Sequence, residues 1–251
     1  MSMIIDAHMH LGEDLIYNSN DDEERVLGYM KEFGIGGVIL QPGLKVWDWH
    51  RSCERIRDFA LANPGRGWGI VSYTPHCSDE EYMEHVTWAV RELGFVAIKL
   101  HPEAYCCAPN APQAQKVYEA ARKLGVPVMI HTGNGVASAL PSLAIPAALE
   151  YPDVTFVLAH AGGGMFGSEA LVAAQVCPNI YLETSWCPVY VVRNFVEKLG
   201  SSRLMFGTDN PDNVGVELAK HRALHLSDED LNQCLGDTAR KVFSLKTAEQ
   251  Q

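Results

Sequence analysis

The chain has no excess of positive charge. Its 251 residues include 20 lysines and arginines against 31 aspartates and glutamates, so the formal net charge is -11. Proteins that bind nucleic acids or anionic membranes use clustered lysine and arginine to displace counterions. The sequence contains no such cluster. We therefore expect neither a nucleic acid nor a membrane as a partner.

Long apolar runs and paired cysteines are also missing. No segment approaches the roughly 20 apolar residues that span a bilayer. The N-terminus lacks a basic region followed by a hydrophobic stretch and a small-residue cleavage site, so we expect a cytoplasmic location. The 7 cysteines are scattered without the CxxC spacing of zinc ribbons and redox motifs. We expect them to be reduced, inert thiols.

The composition is typical of a folded globular protein. Hydrophobic residues make up 47% of the chain and charged residues 20%, far from the composition of disordered chains. No linker or low-complexity stretch divides the sequence. Barrels of alternating strands and helices commonly occupy about 250 residues as one unit. We therefore predict a single domain over residues 1–251.

Short apolar, β-branched runs alternate with helix-like stretches along the chain, which is typical of βα units. Eight runs are predicted as strands: residues 3–8, 37–41, 68–73, 95–100, 126–130, 154–159, 179–183 and 203–207. Residues 227–243 are predicted to form two covering helices. This pattern predicts an α/β fold, a single (β/α)8 TIM barrel of parallel strands. An open doubly wound sheet is the alternative, although no GxGxxG fingerprint follows the first run.

Polar residues stand at the ends of several predicted strands, where barrels carry their functional groups. His8 and His10 end the first run, and side chains in a strand alternate, so the two rings share one face. His131, His160 and Asp209 end the fifth, sixth and eighth runs. Closure of the barrel brings the eighth strand beside the first. We therefore expect His8, His10, His131 and Asp209 to meet around a metal ion.

Three imidazole nitrogens and one carboxylate oxygen suit a borderline divalent ion. Zn2+ is the first choice, with Mn2+, Fe2+ and Co2+ as competitors, because ligand type alone does not select among them. A single histidine at a strand end is more often a hydrogen-bonded packing residue than a ligand. Several ionisable groups at equivalent positions in successive units favour the functional interpretation, because their burial is costly.

Five motifs carry a resemblance to a known family. They are Ile-Asp-Ala-His-Met-His, Ile-Lys-Leu-His-Pro, Met-Ile-His-Thr-Gly, Leu-Ala-His-Ala-Gly-Gly and Gly-Thr-Asp-Asn-Pro, between residues 5 and 211. Together they resemble the amidohydrolase superfamily, in the branch of 2-amino-3-carboxymuconate-6-semialdehyde decarboxylase-like metal-dependent hydrolases. The resemblance implies that His8, His10 and His131 bind the metal. It further implies that Asp209 is a ligand or proton carrier and that His160 is a base or electrophile.

Lys99 marks a departure from part of that superfamily. Members with two metal ions carry a carbamylated bridging lysine at the end of the fourth strand. Lys99 lies two residues before His101, which would place it one pleat too deep to bridge two ions. We therefore predict one divalent ion.

The predicted activity is hydrolysis of a C–N or C–O bond in a small molecule by a metal-activated water. Catalysis is assigned to His160 and Asp209, whose roles the sequence does not separate. Lys99, His101 and Trp186 are predicted to contact substrate, with packing or capping roles as their alternatives. Non-oxidative decarboxylation of an unsaturated or aromatic acid is a second activity to consider, and a catalytically silent metal-binding barrel is a third. Association into a homo-oligomer is left open.

Overall fold

The computed structural model describes residues 2–246. Its ten strands, in chain order, are β1 (Ile5–His10), β2 (Gly12–Asp14), β3 (Ser19–Asp21), β4 (Gly37–Gln41), β5 (Gly67–Ser72), β6 (Ala97–Leu100), β7 (Val128–His131), β8 (Phe156–Ala159), β9 (Ile180–Glu183) and β10 (Leu204–Met205). Eight of them form one parallel sheet in the order β1-β4-β5-β6-β7-β8-β9-β10. The strands β2 and β3 form a separate antiparallel hairpin.

Helices follow the barrel strands. They are α1 (Glu23–Phe33), α2 (Trp49–Ala62), α3 (Asp79–Arg91), α4 (Gln115–Leu124), α5 (Ile145–Glu150), α6 (Gly167–Val176), α7 (Val189–Leu199), α8 (Val214–Arg222), α9 (Asp228–Asn232) and α10 (Thr238–Val242). Their ends obey local chemistry. The Ser78 hydroxyl accepts the backbone N–H of Glu81 at the start of α3. Gly125 ends α4 in the left-handed conformation.

Backbone hydrogen bonds join the last strand of the sheet to the first. The amide of Ala7 donates to the carbonyl oxygen of Phe206 at 3.0 Å, and the amide of Asp209 donates to that of His8 at 2.7 Å. Eight parallel strands thus close into a barrel with helices around it, and the predicted (β/α)8 fold is confirmed. Barrel closure also sets Asp209 beside β1.

A register irregularity in β1 turns the histidines toward the barrel axis. The pairing of β1 with β4 shifts between Asp6 and Met9. Ala7 belongs to the apolar cluster inside the barrel, whereas Met9 packs with residues between strands and helices. The alternation of side chains is therefore broken between Ala7 and Met9, as expected at a β-bulge. His8 and His10 consequently face the cavity at the end of the barrel.

The C-terminal segment closes the opposite end of the barrel. Helices α9 and α10 are joined by a π-helical turn, Gln233–Asp237, so the predicted helical covering is present. Phe243 and Leu245 pack in the same interior cluster as Ile5 and Met205. These residues plug the end where the strands begin, which the sequence did not indicate.

Two further expectations concern the whole chain. Among residues 2–246, no helix combines the length and the apolarity that crossing a membrane requires. The extent of one domain over residues 1–251 stays a prediction, because residues 1 and 247–251 lie outside the described range.

Candidate active site

A cavity of about 500 Å³ lies at the carboxyl ends of the barrel strands. All the residues that the sequence assigned to a site line it: His8, His10, Lys99, His101, His131, His160, Trp186 and Asp209. The fold therefore brings the predicted residues to one place, although more than two hundred positions separate the first and last of them in the chain.

His8, His10 and Asp209 form a compact group of potential metal ligands. One donor atom from each lies within 4.8 Å of the other two. The Nε2 atoms of His8 and His10 are both 3.3 Å from Oδ1 of Asp209. Two imidazole nitrogens and one carboxylate oxygen thus converge on a small volume at the base of the cavity.

The remaining nitrogen of each of these two rings is already engaged. Nδ1 of His8 lies 2.8 Å from the carboxylate of Glu183, and Nδ1 of His10 lies 2.8 Å from the carbonyl oxygen of Pro42. Both partners accept hydrogen bonds, so both Nδ1 atoms carry a proton and donate it. The Nε2 atoms of neutral rings then present lone pairs, which is the tautomer that binds metals through Nε2.

Two donors face those Nε2 lone pairs. The ammonium of Lys99 lies 3.1 Å from Nε2 of His8, and the side-chain amide of Gln41 lies 3.1 Å from Nε2 of His10. The Lys99 side chain therefore extends to the ligand group although its backbone lies deeper in the barrel. The position of Lys99 in its strand did not predict this contact with His8, and the number of metal ions stays a prediction.

His131 lines the cavity with its ring turned elsewhere. Its Nε2 lies 2.9 Å from Oε1 of Glu103, and its ring stacks on that of His101 at a centroid distance of 4.0 Å. Within residues 2–246, the groups that could hold an ion do not include His131. Ligation by His131 stays a prediction.

His160 is held by a chain of two hydrogen bonds. The hydroxyl of Ser185 donates to Oε2 of Glu183 at 2.9 Å, and Nδ1 of His160 lies 2.8 Å from the Ser185 oxygen. Since the single hydroxyl proton is directed at Glu183, Nδ1 of His160 donates to Ser185. The His160 ring lies 4.8 Å from that of His8 and 4.7 Å from that of His131, measured between centroids.

The family model described as amidohydrolase matches residues 5–245 of the chain. The chain belongs to the amidohydrolase family. This result confirms the resemblance drawn from the five motifs. Among curated protein sequences, none matches this amidohydrolase significantly.

Solved structures share its fold. The 5-carboxyvanillate decarboxylase of Sphingomonas paucimobilis aligns with a TM-score of 0.76 and 14% identity over 97% of this chain and 99% of that chain. The dihydroxybenzoic acid decarboxylase of Polaromonas sp. JS666, with bound manganese and the inhibitor 2-nitroresorcinol, aligns with a TM-score of 0.75 and 18% identity over 100% of this chain and 99% of that chain. A protein described as a probable 2-pyrone-4,6-dicarboxylic acid hydrolase, from Acinetobacter baumannii with citric acid bound, aligns with a TM-score of 0.72 and 15% identity over 97% of this chain and 100% of that chain. At these identities the likeness shows the fold.

Burial governs the protonation of the histidines in this amidohydrolase. It lowers the pKa of His8 and His160 well below the ordinary value, and it also lowers the pKa of His131. Burial likewise lowers the pKa of Lys99 to about 8. Neutral imidazoles beside the Asp209 carboxylate form the donor set that a divalent cation requires. The residues present therefore fit a metal site.

Backbone strain is concentrated around the cavity. His160, Trp186 and Asp209 have φ values of 63°, 64° and 64°, in the left-handed region that L-residues rarely adopt. Such strain persists only where the surrounding structure enforces it, and it is common at functional sites. One enforcing contact is the indole of Trp186, which donates to Oδ2 of Asp209 at 2.9 Å.

The hydrogen-bond partners of the imidazoles were not predicted from the sequence. Glu183, Ser185, Glu103 and Gln41 hold the rings, yet none was singled out for a role. Glu183 ends the seventh predicted strand, so the rule that selected His131 and His160 could have found it. Gln41 likewise ends the second predicted strand, whereas Ser185 and Glu103 have no comparable signal in a single sequence.

Proposed function

We propose that this amidohydrolase is a metal-dependent hydrolase that cleaves a C–N or C–O bond in a small molecule. The convergence of His8 Nε2, His10 Nε2 and Asp209 Oδ1 is the observation that supports the proposal. His131 is the fourth ligand in this proposal. The donor set suits one divalent ion, with Zn2+ as the first choice and Mn2+, Fe2+ or Co2+ as competitors.

When bound at such a site, a divalent ion lowers the pKa of water to about 7 and polarises a carbonyl oxygen. The chain's own groups handle the proton. Nε2 of His160, which takes no part in the bond to Ser185, can accept a proton because burial keeps the ring neutral. Oδ2 of Asp209, held by the Trp186 indole, is the other group that can accept or orient it. One of the two returns the proton to the leaving group.

Substrate contacts are assigned to three further residues of the cavity. The Lys99 ammonium lies next to the ligand group and can bind a substrate carboxylate or carbonyl oxygen. His101 lies beside His131 and can donate or accept a hydrogen bond there. Trp186 is 52% exposed and offers an apolar wall at the mouth. The partner in this proposal is a small molecule, not a nucleic acid or a membrane.

Non-oxidative decarboxylation is the second candidate, favoured by the shared fold with two decarboxylases, one of them with bound manganese. In that reaction the bond between the substrate carbon and its carboxylate breaks, CO2 leaves and the carbon takes up a proton. His160 or Asp209 would supply that proton. The same residues therefore serve both candidates, and product analysis separates them.

The test begins with metal analysis of the purified protein and continues with turnover in 18O-labelled water. Panels of amides, lactones, cyclic imides and aromatic acids are compared with and without a chelator. Hydrolysis incorporates 18O into the organic product, whereas decarboxylation releases CO2 without 18O in that product. Asp209→Asn and His160→Ala should each lower the rate of turnover by at least 100-fold. His50→Gln, an exposed histidine on α2, is the matched control and should be unaffected.

Two outcomes would contradict the proposal. A protein that binds no divalent ion at micromolar concentration lacks the site altogether. A protein that binds one ion per chain but retains full turnover in both variants uses other groups. Binding without any turnover across the panels would favour the catalytically silent barrel.

A further inference from the structure

We propose that Glu183 is a positioning residue that sets the proton positions of His8 and His160 together. One buried carboxylate thereby aligns a metal ligand directly and the proton carrier through Ser185. This inference rests on the proposed function and deepens it, because it names the group that prepares both residues before an ion or a substrate binds.

Glu183 receives four hydrogen bonds at the end of β9. Its Oε2 accepts from Nδ1 of His8 at 2.8 Å, from the backbone N–H of His160 at 3.1 Å and from the Ser185 hydroxyl at 2.9 Å. Its Oε1 accepts from the backbone N–H of Ser185 at 2.6 Å. The side chain is completely buried. Every contact is therefore made with the protein itself.

The set of donors requires a carboxylate. An ionised glutamate only accepts, and its two oxygens offer about four lone-pair sites. A glutamine of the same length has one oxygen acceptor, and its NH2 group would face at least one of the donors. The arrangement also fixes the tautomers. His8 donates from Nδ1 to Glu183 directly, and His160 donates from Nδ1 to Ser185 because the Ser185 proton is committed to Glu183.

A glycine opens the path between Glu183 and His8. In the closed barrel, β10 and the residues that follow it lie between β9 and β1. The Glu183 carboxylate must therefore pass this segment to contact His8. A Cβ at Gly207 would lie 2.6 Å from Oε1 of Glu183 and 2.9 Å from Cβ of His8. Real Cβ atoms do not approach other atoms that closely. The absence of a side chain at Gly207 thus leaves the space that the contact between Glu183 and His8 requires.

The tautomers can be read directly in the metal-free protein by 15N NMR of labelled histidines. Wild-type protein should show protonated Nδ1 and unprotonated Nε2 at His8 and His160. Glu183→Gln should convert both rings to mixtures of tautomers and weaken Zn2+ or Mn2+ binding by about 10- to 100-fold, the range found when partners of metal-bound histidines are removed. Gly207→Ala should act in the same direction by displacing the carboxylate.

Ser185→Ala separates the two effects. It should release His160 into a tautomer mixture and shift the pH profile of turnover, while His8 stays protonated at Nδ1 and metal affinity stays within about threefold of wild type. Glu119→Gln, on the outer face of α4 beside Arg122, is the matched carboxylate control and should change none of these readouts.

The results distinguish this inference from the proposed function. If the wild-type protein binds no divalent ion, the proposed function fails, and the tautomer spectra still test Glu183. If folded Glu183→Gln keeps both tautomers and wild-type affinity, the inference is overturned. If that variant does not fold, Ser185→Ala decides, because an unchanged His160 spectrum in it also overturns the inference.

Discussion

Single residues around the metal group are joined by buried hydrogen bonds, and the fully buried Asp6 is one of them. Its carboxyl group accepts from the backbone N–H groups of His8 and Thr208 and from the Thr208 hydroxyl at 2.6 Å. Asp6 thus ties β1 to the segment that carries Asp209. Burial raises its pKa from 3.8 to about 8, against the opposing effect of these donors.

This shift predicts a specific pH dependence of stability. Because the folded pKa is above the unfolded one, the contribution of neutral Asp6 is fully present below about pH 4 and is lost as the pH rises through 8. In the metal-free protein, Asp6→Asn removes this loss. We expect the free energy of unfolding of the variant, relative to that of wild type, to rise by up to about 1.4 kcal/mol for each pH unit in that window. Urea unfolding at pH 5.0 and 7.5, with a chelator present, measures the gain.

The comparison between the two proteins cancels the titration of all other groups. Thr74→Val, remote from Asp6, serves as a control whose difference from wild type should not vary with pH. A constant difference between Asp6→Asn and wild type across the window would show that Asp6 is ionised in the folded protein.

Among the elements, the apolar runs located all eight barrel strands to within two residues at each end, and the differences at the first and last strands have physical causes. The first strand was predicted to end at residue 8 but continues to His10, because the bulge lets β1 keep pairing with β4 as far as Gln41. The eighth is shorter than predicted because the amide of Phe206 donates to the carbonyl oxygen of Cys234 in the C-terminal segment. Local pattern carries neither piece of information.

Two other features were beyond the sequence for a similar reason. The hairpin of β2 and β3 is short and largely polar, so it lacks the alternation of apolar and polar residues that predicts a strand. The reach of Glu183 to His8 depends on the gap at Gly207, a property of three neighbouring strands. Strand-end positions of the site residues were predictable, whereas their hydrogen-bond partners depend on the packing of distant segments.

Helix α8 is the element that supports the loop after β9. Glu217 accepts the backbone N–H of Trp186 at 2.9 Å and forms a buried ion pair with Lys220. Lys220 also donates to the carbonyl oxygen of Thr184 at 2.6 Å. The pair thus holds both sides of the segment in which Trp186 adopts its left-handed conformation.

Breaking this pair should be costly in stability. Either Glu217→Gln or Lys220→Met leaves one buried charged or polar group without its partner, and we expect each to lower the free energy of unfolding by about 3–5 kcal/mol. The double variant should lie closer to wild type than the sum of the two losses. Urea denaturation of the four proteins gives the coupling energy. Single variants within about 1 kcal/mol of wild type would show that the pair is dispensable.

The whole molecule separates a functional end from a structural end. The cavity lies at the carboxyl ends of the strands, and residues of the C-terminal segment fill the opposite end. Such a division is a general property of (β/α)8 enzymes. Ligand binding and global stability should therefore respond to different substitutions.

Metal binding should raise the stability of the whole barrel by linkage. An ion present at about 100 times its Kd adds roughly 2.7 kcal/mol if the unfolded chain does not bind it. For a protein of this size, that corresponds to a rise in Tm of roughly 5–10 °C. Thermal unfolding with added Zn2+ or Mn2+, against a chelated sample, measures the shift. Asp209→Asn should reduce it sharply, and a full shift in that variant would mean that the ion binds elsewhere.

Phe243→Ala tests the structural end. The ring is 2% exposed and packs inside the barrel with Ile5 and Met205, so its removal should cost about 3–5 kcal/mol through lost burial and the cavity left behind. The Tm should fall by roughly 6–20 °C. Zn2+ affinity of the folded protein should stay within about twofold of wild type, because Phe243 does not line the cavity that contains the ligand groups. Lys241→Ala, exposed on α10, is the control for the same segment. A loss of metal affinity as large as the loss of stability would show that the plug and the metal group form one cooperative unit, and the division of the barrel into two ends would be wrong.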